Sequence, residues 1–236
     1  MQTRSITGGT VVTNGYLRWK KLGQMEQHIH DRIDYTRTTL TEAEAGTDPM
    51  VLFATWFAQA QEEGVHEPHA MTLATVGSLT ISCRVVLMRS FDAQGFTFYS
   101  NHNSRKAMDL ERDPRAALNF FWPQMERQVR IEGKVGPVTD QESDAYFATR
   151  PRENRIAAWA SDQSRAVEDR EQLEKRYERW KERFGDGEVP RPLHWGGYRV
   201  RVQRMEFWQG RPNRLHDRIA FEHFADGSWA RVRLQP

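Results

Sequence analysis

Apolar positions along the chain fall into short dense or alternating runs, with helical spacing between them. Asp48-Pro49 opens a helix with proline in its first turn, and Leu52, Phe53, Trp56, Phe57 and Ala60 mark its apolar face up to Gly64. Ala70 to Val76 and Thr80 to Arg89 read as strands, and the turn signal Asp92-Ala93-Gln94-Gly95 precedes a return strand over Phe96 to Ser100. Ser104 is placed to cap a short helix that Asp113-Pro114 ends. Strands over Ala116 to Phe121 and Glu126 to Val135 flank Trp122-Pro123-Gln124. Thr139 with Glu142 forms a capping box for a helix through Thr149, and Arg150-Pro151 breaks it before a second short helix. Val167 to Phe184 is the longest predicted helix, with Leu173, Tyr177, Trp180 and Phe184 on one core-facing stripe. Strands over Tyr198 to Trp208, Arg214 to Phe221 and Trp229 to Leu234 close the chain. About seven strands with inserted helices predict a mainly β fold with flanking helices, a small barrel rather than alternating βαβ units.

Residues 1–45 lack this patterning. They are polar, with Gly8-Gly9, Asn14-Gly15 and the threonine-rich stretch Thr36 to Thr41, and read as a mobile or ligand-ordered arm holding one short helix. Residues 46–236 then form a single domain, long enough to bury a sizeable core. Charged residues at 28% and hydrophobic ones at 38% are ordinary for a soluble protein, and a net charge of +2 argues for neither a nucleic-acid nor a membrane partner. The sequence has no apolar run of ~18 residues and no basic-then-apolar leader pattern. With one cysteine, this fits a reducing, cytoplasmic setting. That cysteine, Cys83, reads as a small buried hydrophobe within its strand.

The segment Glu206 to Arg218 carries the most chemistry. Read as strand, turn, strand, it puts Arg214, His216 and Arg218 on one face and Leu215, Asp217 and Ile219 on the other. Two guanidiniums and an imidazole are poor core material but suit an anionic ligand that needs a nearby proton donor or acceptor. A second basic set joins Arg84 and Arg89 to Ser104-Arg105-Lys106. A helix start with free N–H groups beside cations can bind an anion, although surface charge alone would look the same. Tyr146 and Arg150, four apart on one helix face, could hold a phosphate, or the arginine stem could simply pack on the phenol. Gln128, Gln163 and Ser164 are polar groups able to read the edge of a planar heterocycle. His66 and His69 flank Pro68 without cysteine support and are not read as a metal site. The chain has no Gly-x-Ser-x-Gly, Walker A or Gly-x-Gly-x-x-Gly motif, which argues against a Rossmann nucleotide site.

Taken together, these motifs resemble a known family. Glu206-Phe207-Trp208-Gln209-Gly210 followed by Arg214-Leu215-His216-Asp217-Arg218 looks like the C-terminal signature of the pyridoxine/pyridoxamine 5′-phosphate oxidases. Arg84-Val85-Val86-Leu87, Ser104-Arg105-Lys106, Glu126-Arg127-Gln128, Arg150-Pro151-Arg152, Gln163-Ser164 and Trp195-Gly196-Gly197-Tyr198 match in the same order, so the resemblance runs from about Arg32 to Pro236. It implies an FMN-binding split β-barrel acting as a homodimer with its sites at the subunit interface. By resemblance Arg84, Val85, Val86, Leu87, Met88, Arg89, Tyr99, Ser100, Arg105, Lys106, Gln128, Gln163, Ser164, Trp208 and Arg218 would surround FMN. Tyr146, Arg150 and Asn154, with Arg89, would hold the phosphate of a phosphorylated B6 vitamer. Arg214, Leu215 and His216 would cover the substrate, with Arg214 and His216 in the catalytic role, and Arg32 and Tyr35 would belong to a segment that closes over the site. Dioxygen would be the electron acceptor.

The chain departs from the family at two phosphate-side positions, with Arg89 where lysine is usual and Asn154 where serine is usual. Arginine keeps the charge but is bulkier and forked. These departures keep open a related flavin oxidase acting on another substrate, such as a phenazine precursor. A flavin- or pyridoxal-phosphate-binding carrier without catalysis also stays open.

Overall fold

The computed structural model describes residues 34–236; the expectation for Arg32 falls outside them. Nine strands form one antiparallel sheet among the described residues: β1 (Ala70–Val76), β2 (Ile81–Leu87), β3 (Ser90–Asp92), β4 (Gly95–Asn101), β5 (Arg115–Trp122), β6 (Arg127–Pro137), β7 (Trp195–Gln209), β8 (Asp217–His223) and β9 (Trp229–Leu234). The order is β2-β1-β5-β6-β7-β4-β3, and β8 leaves this path to pair with β7 and then β9. The fork falls within β7, whose Trp195 to Val200 pair with β4 and whose Arg204 to Gln209 pair with β8. One long strand that exchanges partners in this way curls the sheet into a split barrel.

The helices are α1 (Glu42–Ala45), α2 (Pro49–Glu62), α3 (Arg105–Arg112), α4 (Asp140–Thr149), α5 (Arg152–Ala160) and α6 (Arg170–Phe184). Asp48 caps α2 by accepting from the Met50 N–H at 2.8 Å, with Pro49 in the first turn. This helix inserts Phe53 edge-on against Phe96 (4.8 Å) and packs Trp56 against Phe207 (5.2 Å), closing the core. The Thr139/Glu142 capping box forms as the spacing predicts.

Four local expectations are corrected. Cys83 is exposed, not buried, because its face of the sheet is left uncovered by the described residues; Ile81 and Val85 on that face are 76% and 66% exposed. The predicted strand over Thr80 to Arg89 breaks at Met88-Arg89, and β3 raises the strand number to nine. The longest helix starts at Arg170, after the Asp169 cap, and buries none of its residues; Trp180 and Phe184 pack on Trp159 of α5 instead of on the barrel core. The final correction concerns the signature segment. Residues 212–214 form a 3₁₀ turn with Asn213 at φ 56 and Arg214 at φ 61, so extended alternation begins only at Asp217. Pro212 has a fixed φ and its carbonyl accepts from the Leu215 N–H, which holds a turn where a strand was expected.

Candidate active site

The expected site residues gather into three groups. The first surrounds Lys106. Ser104 caps α3 and leaves the first-turn N–H groups of Arg105 and Lys106 unpaired within the helix. The Lys106 ammonium donates to Gln163 Oε1 (2.6 Å), Ser100 Oγ (3.1 Å) and Ser104 Oγ (3.3 Å). Burial, and then the neighbouring Arg84 charge, lower its pKa to about 8. Arg84 reaches across from β2, donating to Thr75 Oγ1 (2.8 Å) and the Leu73 carbonyl (3.2 Å), with Asp109 at 3.8 Å. Arg105 donates to Thr80 Oγ1 at 3.3 Å. Three cations gather beside a helix N-terminus, with Asp109 close to Arg84, an arrangement that suits a phosphate monoester. Ser164 sits next to Gln163 at φ 69, a left-handed position. Thr75 and Asp109, which brace Arg84, escaped the sequence reading because their strand and helix meet only in the fold.

The second group is an aromatic shelf with two arginines. Tyr99 and Tyr146 stack at 4.0 Å, and Trp195 lies parallel to both. The Arg150 guanidinium lies 4.7 Å from the Trp195 ring centroid and Arg89 5.9 Å from that of Tyr146. Arg150 Nη1 is buried without a hydrogen-bond partner. Burial lowers the pKa of Arg150; Tyr146 opposes the shift and Arg89 adds to it. A buried guanidinium N–H left unpaired beside a second cation has the chemistry to accept an anion. Asn154, on α5, is exposed. Between these two groups, Val85 is exposed and Val86 and Leu87 are half-buried, while Met88 belongs to the core.

The third group lies at the other end of β7. Trp208 packs against His216 (4.6 Å), and Tyr35 meets both edge-on at 5.6 and 5.7 Å. The Arg211 N–H donates to His216 Nδ1 at 3.1 Å, so the neutral ring carries its proton on Nε2. Burial, then Arg214, lower the His216 pKa. Arg214 and Leu215 are exposed on the turn. Strand register puts Gln128, Trp208 and Arg218 in one row across β6, β7 and β8. Arg218 is held by Glu206, a carboxylate only 2% exposed that also faces Arg204 and Arg130.

Trp195 and Trp208 are thirteen residues apart on β7, roughly 43 Å of strand at ~3.3 Å per residue. The shelf and the third group therefore occupy opposite ends of one strand. Register also puts Ile81, Val85, Phe121 and Val232, exposed at 76%, 66%, 53% and 49%, on the same sheet face as Trp208 and Arg218.

Residues 57–184 match the family described as Pyridoxamine 5′-phosphate oxidase. Residues 195–236 match the Pyridoxine 5′-phosphate oxidase C-terminal dimerisation region. The pyridoxine/pyridoxamine 5′-phosphate oxidase of Gloeothece citriformis is 52% identical over 214 residues, covering 90% of this chain and all of the relative. That of Pseudomonas paraeruginosa is 51% identical with the same coverage. Among solved structures, PhzG of Burkholderia lata, in complex with tetrahydrophenazine-1-carboxylic acid, is 31% identical with a TM-score of 0.79, covering 84% of this chain and 98% of its own. A pyridoxamine 5′-phosphate oxidase-related, FMN-binding protein of Nostoc punctiforme is 13% identical with a TM-score of 0.64, covering 81% of this chain and all of its own; it shares the fold.

Proposed function

The chain belongs to the pyridoxine/pyridoxamine 5′-phosphate oxidase family, and from that membership we propose that it oxidises pyridoxine 5′-phosphate, pyridoxamine 5′-phosphate or both to pyridoxal 5′-phosphate, with FMN as cofactor and dioxygen as acceptor. The single observation that carries the proposal is the buried, unpartnered Arg150 Nη1 beside Tyr146 and Arg89, a ready clamp for a substrate phosphate.

The donor set fits FMN. Lys106, Arg84, Arg105 and the α3 N-terminus hold its phosphate, with Ser100 and Gln163 completing the cradle. Gln128, Trp208 and Arg218, one row of side chains, with Ser164, line the flavin ring. When bound, FMN would supply the redox chemistry: two-electron oxidation at the substrate C4′ carbon, with dioxygen as the final acceptor reduced to hydrogen peroxide and, for the amine, water hydrolysing the oxidised product to the aldehyde and ammonia.

The protein supplies position and charge. Arg150, Tyr146 and Arg89, with Asn154, fix the substrate phosphate, which lowers the entropic cost of bringing C4′ to its reaction partner. Arg214 and Leu215 cover the pyridine ring. His216, neutral because burial and Arg214 disfavour its charged form, donates from Nε2 to a ligand atom; Nδ1 is committed to the Arg211 N–H. Tyr35 packs edge-on against both Trp208 and His216 and so helps to hold the two rings in place. The two ends of β7 come together when a second copy supplies one of them, so the working unit is a homodimer with interfacial sites. The exposed apolar residues on the Trp208 face, and the match of residues 195–236 to a dimerisation region, support this.

Anaerobic mixing of the FMN-loaded protein with each vitamer tests the proposal: flavin absorbance bleaches, and peroxide appears on admitting air. Absorbance that survives both vitamers refutes it. A second reading takes a reduced phenazine carboxylate as substrate, favoured by the 31% identity and TM-score of 0.79 to PhzG. Bleaching by tetrahydrophenazine-1-carboxylic acid and by neither vitamer would select it. Flavin binding with no bleaching by any of the three would leave a non-catalytic carrier.

A further inference from the structure

Trp195 opens β7, and at 7% exposure its indole is nearly enclosed. Its plane lies within 12° of Tyr99 and 7° of Tyr146, with Phe147 tilted against it at 4.9 Å. Gly197, two residues on, has no room for a side chain: a Cβ there would sit 2.7 Å from the Tyr99 ring. The bare backbone lets Tyr99 lie flat beside the indole. Above the indole lies the Arg150 guanidinium, at 4.7 Å. We propose that Trp195 is a positioning residue for the phosphate clamp, holding the Arg150 guanidinium over its ring face so that the unpartnered Nη1 stays available to the substrate's phosphate. The inference rests on the reading that Arg150 and Tyr146 bind that phosphate.

The physical argument concerns what steadies a buried cation without neutralising it. Arg150 makes no ion pair among the described residues, and Arg89 nearby is a second positive charge. An arginine side chain has ~2 kcal/mol of rotamer entropy, and repulsion from Arg89 would drive a loose one toward water. A carboxylate partner would restrain it but would also compete with the ligand's phosphate for the same N–H groups. The face of an indole attracts the guanidinium through its quadrupole and occupies none of those donors. The backbone cooperates: Arg150 is the C-cap of α4, and Pro151 restricts its conformation to the extended region observed (φ −72, ψ 145). Trp195 thus supplies orientation, and Arg150 keeps its full charge for the ligand.

The test uses FMN-loaded full-length protein. Steady-state turnover of pyridoxine 5′-phosphate, and its inhibition by inorganic phosphate, are measured for wild type, Trp195→Leu, Trp195→Phe, Arg150→Ala and the Arg150→Ala/Trp195→Leu double variant. In Trp195→Leu, the KM and the phosphate inhibition constant should rise together about tenfold, equivalent to ~1.4 kcal/mol, with kcat within about twofold and FMN retained. Trp195→Phe, which keeps an aromatic face, should recover most of the loss. In the Arg150→Ala background, Trp195→Leu should add no further change, since its effect passes through Arg150. The proposal is overturned if Trp195→Leu leaves both constants unchanged, lowers kcat at constant KM, or costs as much without Arg150 as with it. If Trp195→Leu does not fold, Trp195→Met, which also removes the aromatic face, decides: unchanged KM and unchanged phosphate inhibition overturn the proposal, and a rise of about threefold or more in both supports it. Wild-type protein that turns over neither vitamer refutes the functional reading instead. Calorimetric titration of the same variants with pyridoxal 5′-phosphate then reads the clamp on its own: a weaker Kd in Trp195→Leu supports the inference and an unchanged one overturns it.

Discussion

Raising the pH from 7 to 9 should weaken FMN binding about tenfold through Lys106. In the free protein, burial and the Arg84 charge bring its pKa to about 8, against an ordinary value of 10.5. A phosphate dianion against the ammonium favours the charged form and returns the pKa toward its ordinary value or above. Between about pH 8 and 10.5 the loaded protein therefore keeps a proton that the free protein has released, so binding takes up a proton and weakens as pH rises. Lys106 of the free protein is about 90% protonated at pH 7 and about 10% at pH 9, while the loaded form stays almost fully charged; the ratio gives a tenfold change, ~1.4 kcal/mol. Below pH 7 the phosphate monoester's own ionisation near 6 intervenes, which sets the lower edge of the window. Quenching of FMN fluorescence on binding, titrated at constant ionic strength at several pH values, measures the Kd. Lys106→Met should bind more weakly and lose the slope. A wild-type Kd that stays constant over this range, or an equal slope in Lys106→Met, refutes the reasoning. The same linkage acts on folding: the unfolded chain binds the extra proton between pH 8 and 10.5, so the stability of the free protein should rise with pH in that window, and FMN should abolish the rise.

His216 has a pKa below its ordinary 6.5, so kcat/KM should hold through that pH and fall only at lower pH, as a charged ring must give up the Arg211 N–H bond at Nδ1; a fall already centred above 6.5 would contradict this. Gly210→Ala puts a Cβ 2.6 Å from the Tyr35 ring and 3.0 Å from the Glu126 Cβ. It should cost ~1–3 kcal/mol of stability and raise the substrate KM by displacing Tyr35, both measurable by thermal denaturation and steady-state kinetics. Glu206→Gln leaves Arg218, Arg204 and Arg130 around a neutral group; with those arginines part-exposed, a loss of ~1–3 kcal/mol in chemical denaturation is expected, and weaker FMN binding should accompany it because Arg218 loses its anchor.

Local signals in the sequence determined much of this protein. Asp48-Pro49, Ser104 and the Thr139/Glu142 box start their helices where the spacing places them, because a cap satisfies N–H groups two or three residues away and needs no distant partner. Strand β1 and the turn before β4 were equally legible, since side-chain alternation and turn chemistry act over a few residues. What the tertiary structure alone decided depends on long-range contact. Cys83 reads as core by composition, and only the way the elements pack leaves its sheet face uncovered. The turn at residues 212–214 reads as strand until Pro212 and two left-handed residues redirect His216 toward Trp208. Trp195 is one tryptophan among eight until the fold lays Arg150 across its face. The contacts of Lys106 with Gln163 and of Arg84 with Thr75 and Asp109 span 57, 9 and 25 residues of chain. No periodicity encodes such pairs; they exist because the curled sheet brings separate strands and helix ends to one place.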